Sequence, residues 1–467
     1  MNDVKEQLQK IFKNNNIDVE PNSSKLFDKF MRDEMNTEKV KLIIENQEWL
    51  MSKWKVENAI DEIIRKPIHV LNATVGKPFE TRFNFEQFGW KNIIAFEFDG
   101  LSETGLSFDE KTKMLIGKPL NSGDIKIKFK FKVEGQGEDD PFNEKFFTLI
   151  INPDPKTLWK NLPSDKNDPY WKEDNITEFA PLGEKHILVS SKRGRSHANV
   201  GSFREDDYAF KDFQNNWSIV VVSDGAGSAP VSRKGSAIAC AEIVEYFMQP
   251  AIEANFRDFD NLMQVYHPDD TETTKKIQSF LYNNLGQAAF DAHKKLESFA
   301  TETGITLKDL SATLVFTLFK KYEKGYAFLS FGVGDCPMAV LNKAISEVTL
   351  LNWIDVGEFG GGTRFITMPE IFQNEKFATR LSFQLIDDFS YLVLMSDGIY
   401  DPKLVVESNL LDIKKWKAFL EDLNGKNDDQ AKVVLESKNQ KIKEEFSKWM
   451  DFWSIGNHDD RTLAIIF

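Results

Sequence analysis

Hydrophobic and polar residues follow three different patterns along the chain. Up to residue 66, apolar residues recur at helical spacing, as in "TEKVKLIIENQEWLMSKWKVENAIDEIIRK", where Val40, Ile43 and Ile44 stand among charged residues. From residue 67 to 153, apolar and polar residues alternate, as in "DIKIKFKFKVEG", which is typical of half-buried antiparallel strands. We therefore expect an N-terminal helical segment at 1–66 and an all-β domain at 67–153.

The third pattern, from residue 180 to 467, mixes short apolar runs with helical stretches. The runs include "WSIVVVS", "ATLVFTLF", "YLVLMS" and "TLAIIF", and the helical stretches lie near 232–255, 273–302, 403–424 and 427–451. Short turns join most consecutive strands, which favours antiparallel sheets with helices packed outside. The pattern predicts an α+β domain, an antiparallel β-sandwich flanked by helices.

The segment 154–179 is rich in Pro, Asp and Lys and is predicted to be a linker. Its aromatic residues, Trp159, Tyr170 and Trp171, indicate that it packs on a neighbouring domain.

Part of the β-rich region is similar to a known type of domain. The stretch "LSETGLSFDEKTKMLIGKPLNSGDIKIKF" resembles immunoglobulin-like domains of bacterial multidomain proteins. The matching positions are Gly105, Leu106, Phe108, Asp109, Gly117, Pro119 and Gly123. The resemblance implies a small β-sandwich at 67–153 that acts as a spacer or a binding module.

Composition narrows the functional class. The 467 residues carry a net charge of −14, which argues against nucleic acid and anionic membranes as partners because both require a basic face. Two cysteines, Cys240 and Cys336, form no CxxC pair and suit a reducing compartment. No secretory signal or membrane span is visible, so we expect a cytoplasmic protein.

Acidic residues recur at the margins of the apolar runs in the α+β region. They are Asp206 and Asp207, Asp224, Asp335, Asp397, and Asp459 and Asp460. Carboxylates gathered at one edge of a sandwich repel one another unless cations neutralise them. Oxygen ligands favour Mg²⁺ or Mn²⁺, and the carbonyl of Gly225 is a further candidate ligand. Zinc is a poor fit because neither CxxC nor HExxH occurs. Two such ions would activate a water for attack on phosphorus, without a covalent enzyme intermediate.

In order along the chain, these motifs resemble those of metal-dependent Ser/Thr protein phosphatases of the PP2C (PPM) family. They read Asp206 and Asp207, "DG" at 224–225, "SAT" at 311–313, "GDC" at 334–336, "SDG" at 396–398 and "DD" at 459–460. "DGAGSAPVSRKGSAIA" and "DDRTL" are closest to a bacterial branch. The resemblance implies that Asp207, Asp224 and the carbonyl of Gly225 hold two Mg²⁺ or Mn²⁺ ions and that Asp397 and Asp459 complete the site. It implies that Asp206 binds a metal through water and that Asp335 holds a weaker third ion, and Asp460 is a further candidate ligand beside Asp459. It also implies a phosphoprotein substrate, such as a Ser/Thr kinase or one of its targets.

Two departures from the family pattern bear on activity. An Arg usually stands five residues before the second acid, where this chain has Ser202, so His197, Arg195 and Arg193 are candidates to bind phosphate. The flap motif lacks the Asn of the branch, and Glu358 and Thr363 mark the predicted flap. The alternative reading is a catalytically inactive pseudophosphatase that acts as a regulatory binding module.

Overall fold

The computed structural model describes residues 2–355, 362–373 and 375–467. It divides the chain into two compact units, Met1–Leu158 and Trp159–Phe467, called unit 1 and unit 2 here. Among the described residues, none of the helices has the length and the apolar composition needed to cross a bilayer.

Unit 1 consists of helices followed by short strands. The helices are α1 (Asn2–Asn14), α2 (Ser24–Met31), α3 (Glu34–Arg65) and α4 (Pro155–Leu158). The strands are β1 (Ala73–Thr74), β2 (Phe79–Arg82), β3 (Ile93–Asp99), β4 (Leu106–Asp109), β5 (Met114–Gly117), β6 (Gly123–Val133) and β7 (Asn143–Asn152). Asp33 caps α3, since its side chain accepts hydrogen bonds from two backbone N–H groups of the first turn.

The strands of unit 1 form two sheets, ordered β1-β7-β6-β3 and β2-β5-β4. Buried and exposed residues alternate along β7, so that one face of its sheet enters the core. Phe83, Phe129 and Phe131 lie in that core, where Val56 and Ile63 of α3 join them. This arrangement is a β-sandwich, and its assignment as an immunoglobulin-like domain stays a prediction.

Unit 2 holds the remaining elements. The strands are β8 (Asn175–Leu182), β9 (Lys185–Lys192), β10 (Asp207–Phe213), β11 (Trp217–Ser223), β12 (Leu314–Tyr322), β13 (Gly325–Val333), β14 (Met338–Asn342), β15 (Val348–Leu350), β16 (Leu381–Ile386), β17 (Phe389–Met395) and β18 (Arg461–Ile466). The helices are α5 (Arg195–Val200), α6 (Ser232–Phe247), α7 (Pro250–Val265), α8 (Thr271–Leu281), α9 (Gln287–Thr303), α10 (Glu370–Gln373), α11 (Asp397–Lys403), α12 (Ile413–Leu423) and α13 (Ile442–Trp449).

Two antiparallel sheets form the centre of unit 2, ordered β10-β11-β12-β13-β16 and β15-β14-β17-β18-β9-β8. Alternate side chains of β11 point to opposite faces of its sheet and so enter two different hydrophobic cores. Val220 and Val222 join residues of the second sheet in the core between the sheets, whereas Ile219 and Val221 face the core shared with α6, α7, α8 and α9. On the other side, α11, α12 and α13 cover the six-stranded sheet. The predicted α+β sandwich is confirmed.

The helical stretch predicted near 427–451 is longer than the helix that the structure shows there. Only α13 forms within that range, because Asn427 offers the backbone other hydrogen bonds. Its side chain donates to the carbonyls of Asp422 and Ala431 and accepts from the N–H of Ala431.

The segment predicted as a linker contributes to unit 2. The unit starts at Trp159 and its first strand at Asn175, ahead of the predicted boundary at 180. Nη2 of the buried Arg233 donates to both carboxylate oxygens of Asp168 over 2.9 Å. Tyr170 packs edge-on against Phe299.

Candidate active site

The acidic motifs lie at one end of the sandwich because antiparallel neighbours begin and end there together. The start of β10 pairs with the end of β11 through Asp207 and Ser223. In the second sheet, the end of β17 pairs with the start of β18 through Met395 and Leu463. Residues just outside these strand ends therefore converge although they are up to about 250 positions apart.

Asp224, which follows β11, is fixed by the strand that begins beside it. Its backbone N–H donates to Thr313 Oγ1 over 2.8 Å, and its carbonyl accepts from the N–H of Thr313, also over 2.8 Å. The Ser-Ala-Thr motif thus holds the backbone of this acid. Gly225 continues the contact through an isolated antiparallel bridge with Ala312.

The structure separates the two acids of the Asp206 and Asp207 pair. Asp206 is buried, and its Oδ2 accepts a 2.8 Å hydrogen bond from Thr462 Oγ1 at the start of β18. Asp207 Oδ2 lies 3.0 Å from Lys172 Nζ, and its Oδ1 lies 3.9 Å from the guanidinium of Arg204. The charge of Asp207 is therefore neutralised by basic side chains of the protein itself. The structure therefore places Asp206, and not Asp207, beside Asp224 and Asp397.

Two glycines allow the motif loops to approach closely. A Cβ at Gly225 would lie 2.7 Å from the carbonyl oxygen of Glu205. A Cβ at Gly398 would collide with the carbonyl oxygen of Asp460. Each glycine of the two Asp-Gly pairs is thus needed where its loop touches the backbone of another acidic motif.

Burial and mutual repulsion raise the pKa values of the clustered carboxyl groups. Burial, with the charge of Asp460, raises the pKa of Asp206 to about 7. The pKa of Asp224 is raised well above its usual value by burial and by the charges of Asp206 and Asp397. Burial and the charge of Asp459 raise the pKa of Asp397 in the same way. The basic side chains of the protein therefore do not neutralise the negative charge of these clustered carboxyl groups.

The acid cluster fits divalent cations with oxygen ligands. Asp224 Oδ2 and Asp397 Oδ1 are buried and have no hydrogen-bond partner in the part of the chain that the structure describes. Buried carboxylate oxygens are costly without a partner, and a hard cation would supply one. Asp459 is the most solvent-exposed member, and partial desolvation with the charge of Asp460 still raises its pKa.

Asp460 holds His197 beside the acid cluster. Asp460 Oδ1 lies 2.9 Å from His197 Nδ1 and accepts a 2.5 Å hydrogen bond from the N–H of Gly194, while Oδ2 accepts from the N–H of Glu205. Although burial opposes it, the hydrogen bond and charge of Asp460 raise the pKa of His197 to about 9. His197 is therefore an imidazolium at neutral pH. Its Nε2 lies 3.8 Å from Glu205 Oε2.

Ligand atoms of His197, Asp459 and Asp460 lie within 4.8 Å of one another. The hydrogen bonds above already use Asp460, and its pKa stays below the usual value because His197 counteracts the effect of burial. This favours an ion pair within the protein over a cation at this particular trio.

The remaining predicted site residues lie at the margin of the cluster. Asp335, which follows β13, accepts a 2.6 Å hydrogen bond from Thr363 Oγ1, and burial raises its pKa. Its charge also acts on Asp397. Glu358 lies outside the described residues.

Two further acids near the cluster were missed from the sequence. Burial raises the pKa of Glu205 to about 8, and its Oε2 has no hydrogen-bond partner among the described residues. Burial and the charge of Asp335 raise the pKa of Asp401. The available signals were the acidic run "REDD" for Glu205 and the four-residue spacing from Asp397 to Asp401, which places both on one face of a helix.

The structure does not place Arg193 or Arg195 at the acid cluster. Arg193 pairs with Asp174 over 3.2 Å and donates to the carbonyls of Leu162 and Ser202. Arg195 donates to the carbonyl of Asp451 and stacks over Trp453. Burial, together with the charge of Arg195, lowers the pKa of Arg461 to about 10.

Comparison with known protein families finds one that matches this sequence. The sequence model described as protein phosphatase 2C matches residues 193–445, more than half of the chain. The chain belongs to the protein phosphatase 2C family. The match covers every acidic motif of the protein phosphatase 2C pattern up to Asp397, and the final pair, Asp459 and Asp460, follows its end.

Solved structures similar to this protein phosphatase 2C chain include three phosphatase structures. A bacterial serine phosphatase is 17% identical, covers 60% of this chain and 96% of its own, and has a TM-score of 0.35. Stp1 from Staphylococcus aureus is 15% identical over 63% of this chain and 98% of its own, with a TM-score of 0.35. The catalytic domain of PstP, solved with two manganese ions, is 14% identical over 62% of this chain and 97% of its own, with a TM-score of 0.34. No curated protein matched the sequence.

Proposed function

We propose that unit 2 is a Mg²⁺- or Mn²⁺-dependent phosphatase that hydrolyses phosphoserine and phosphothreonine in proteins. The observation that carries the proposal is the set of buried and half-buried aspartates, Asp206, Asp224 and Asp397, whose charges are uncompensated within a chain of the protein phosphatase 2C family. A cytoplasmic phosphoprotein, such as a Ser/Thr kinase or its target, is the proposed substrate.

In this proposal Asp206, Asp224, Asp397, Asp459 and the carbonyl of Gly225 hold the ions, and Asp335 holds a weaker third one. The ions would lower the pKa of water and neutralise charge on the phosphoryl oxygens. We assign the first acidic position to Asp206 because Asp207 is ion-paired with Lys172.

The proton of the leaving group has a candidate source in His197. Asp460 binds Nδ1, so the imidazolium proton on Nε2 can be given to the serine or threonine oxygen as its bond to phosphorus breaks and water adds to phosphorus. Asp460 is then a positioning residue, which fixes the ring and its charge.

Direct attack by water agrees with the state of the two cysteines. Cys240 and Cys336 are both buried, and burial raises the pKa of each thiol well above its usual value. A protonated, buried thiol is a poor nucleophile, so neither supports a covalent phosphoenzyme.

The test measures phosphate release from a phosphoserine peptide by the full chain with Mn²⁺, together with calorimetric binding of Mn²⁺. We expect Asp224→Asn and Asp397→Asn to lose turnover and to bind Mn²⁺ more weakly. Asp258→Asn, an exposed position on α7, should match the wild type. Equal turnover in all four proteins would refute the proposal. Tight Mn²⁺ binding without any hydrolysis would instead support the pseudophosphatase alternative, which the absence of Arg193 and Arg195 from the cluster favours.

A further inference from the structure

A cavity of about 320 Å³ is lined in part by the loop that joins β9 to α5. Its lining includes the basic residues Lys160, Lys192, Arg193, Arg195 and Arg461, and we call it the basic pocket. Its position is notable because α5 carries Arg195 into this pocket and His197 to the acid cluster.

The acidic residues of the lining neutralise only part of this charge. Asp451 Oδ1 lies 2.6 Å from Lys192 Nζ, and Asp174 Oδ2 lies 3.2 Å from a nitrogen of Arg193. The charges of Lys160, Arg195 and Arg461 are left in excess in a chain whose net charge is −14. A local excess of this sign within an acidic protein indicates a site for an anion.

Arg461 provides the most direct evidence. The residue is only 4% exposed, and its guanidinium donates to the carbonyls of Met450 and Phe452 and to Ser454 Oγ. These partners are neutral, and Nε is buried without a hydrogen-bond partner among the described residues. A buried guanidinium that lacks an anionic partner is costly, so an anion in the pocket would stabilise it.

Arg195, whose side chain is partly exposed, also lines the pocket. One terminal nitrogen donates to the carbonyl of Asp451 over 2.7 Å, the guanidinium lies 5.4 Å from the centre of the Trp453 ring, and Nε is again buried and unpartnered in the described part of the chain. Each of the two guanidinium groups therefore keeps an Nε–H without a partner among the described residues, and both residues line the basic pocket. Guanidinium donors match the oxygens of a phosphate group in geometry and in charge.

We propose that the basic pocket binds a phosphate monoester other than the one that is hydrolysed. The three excess charges suit a dianion, and the volume accommodates a phosphorylated side chain or a small phosphoester. The part of this inference that concerns a phosphorylated substrate rests on the proposed function, whereas the anion site itself does not.

The test is a calorimetric titration of inorganic phosphate into the full chain in EDTA, so that no divalent ion contributes to binding. We expect the wild type to bind phosphate and Arg195→Gln to bind it about tenfold more weakly or worse, as expected for a lost charged hydrogen bond. Lys160→Gln, at an exposed position that does not endanger folding, should also weaken binding. Lys275→Gln on α8 is the control and should bind like the wild type. Absence of binding by the wild type, or equal binding by the wild type, R195Q and K160Q, would overturn the proposal.

Two further arms identify the source of the phosphate. If the pocket takes a second phosphorylated residue of the substrate, R195Q will raise KM for a doubly phosphorylated peptide and not for the singly phosphorylated one, in Mn²⁺-loaded protein. If the pocket takes a small phosphoester, AMP will compete with inorganic phosphate in EDTA. R195Q will then change KM for the singly and the doubly phosphorylated peptide by the same factor. Loss of turnover with phosphate binding intact would refute the proposed function alone.

Discussion

Lys172 connects the segment before the matched family region to the acidic strand of the site. Its Nζ lies 2.7 Å from the carbonyl oxygen of Asp206, 3.4 Å from that of Glu205 and 3.0 Å from Asp207 Oδ2. The side chain is 14% exposed, and burial lowers its pKa. Lys172→Met keeps most of the aliphatic stem and removes the charge together with these three contacts.

The expected cost follows from those contacts. Removing one partner of a buried ion pair costs about 3–5 kcal/mol. Asp207 keeps some solvent access, with 20% of its side chain exposed, and it keeps Arg204 at 3.9 Å. We therefore expect Lys172→Met to lower the free energy of unfolding of unit 2 by about 2–4 kcal/mol. The carbonyl of Asp206 loses one of its two donors and keeps Arg204 Nη1 at 2.6 Å, so Mn²⁺ affinity should also fall, by at most about tenfold, as for other residues that support metal ligands.

Calorimetric unfolding of the full chain and Mn²⁺ titration measure the two effects. Lys166→Met is the matched control, since Lys166 is exposed on the same segment and lies over the Trp171 ring. If K172M unfolds like the wild type and binds Mn²⁺ equally well, the account of Lys172 as a support for Asp206 is refuted.

Three further predictions concern the same cluster. Thr462→Val removes the hydroxyl that donates to Asp206, so it should destabilise unit 2 by about 1–3 kcal/mol in urea unfolding and weaken Mn²⁺ binding, and wild-type values would contradict this role. Gly398→Ala favours a helix by propensity but places a Cβ against the carbonyl of Asp460, so a net loss of stability is expected, with the exposed Gly137→Ala as comparison. The pKa values of Asp206, Glu205 and His197, about 7, 8 and 9, are raised in the folded state, so each stabilises at low pH and loses that contribution as pH rises through its folded pKa. Unfolding free energy in EDTA should therefore fall as pH rises from about 4 to about 9. An identical pH profile with and without Mn²⁺ would speak against the acid cluster as the metal site.

The layers of unit 2 could be predicted from the sequence because alternating apolar residues fix which face of each strand is buried. Asp224 and Asp397 could be placed at the site because each follows such a strand and precedes a glycine. The family pattern predicted Asp207 as a direct ligand and Asp206 as a ligand through water, whereas the structure pairs Asp207 with Lys172. Neighbouring residues of an extended chain point to opposite faces, and the sequence left their register open. The contacts of Lys172 could not be predicted either, because its partners lie more than 30 residues away in the sequence and no periodic pattern indicates them.

The arginines show a different limit. Arg193 and Arg195 stand within four residues of His197, which made them candidates for the same site. In the structure Arg193 and Arg195 line the basic pocket, whereas the ring of His197 contacts Asp460. Sequence proximity at a turn therefore did not determine which cavity each side chain enters.

Crystals of the full chain soaked in Mn²⁺ test directly whether Asp206, Asp224, Asp397 and Asp459 share divalent cations. We predict anomalous scattering peaks between these carboxylates and the carbonyl of Gly225, with Asp207 still paired to Lys172. Peaks found only elsewhere, or none among these aspartates at millimolar Mn²⁺, would contradict the account.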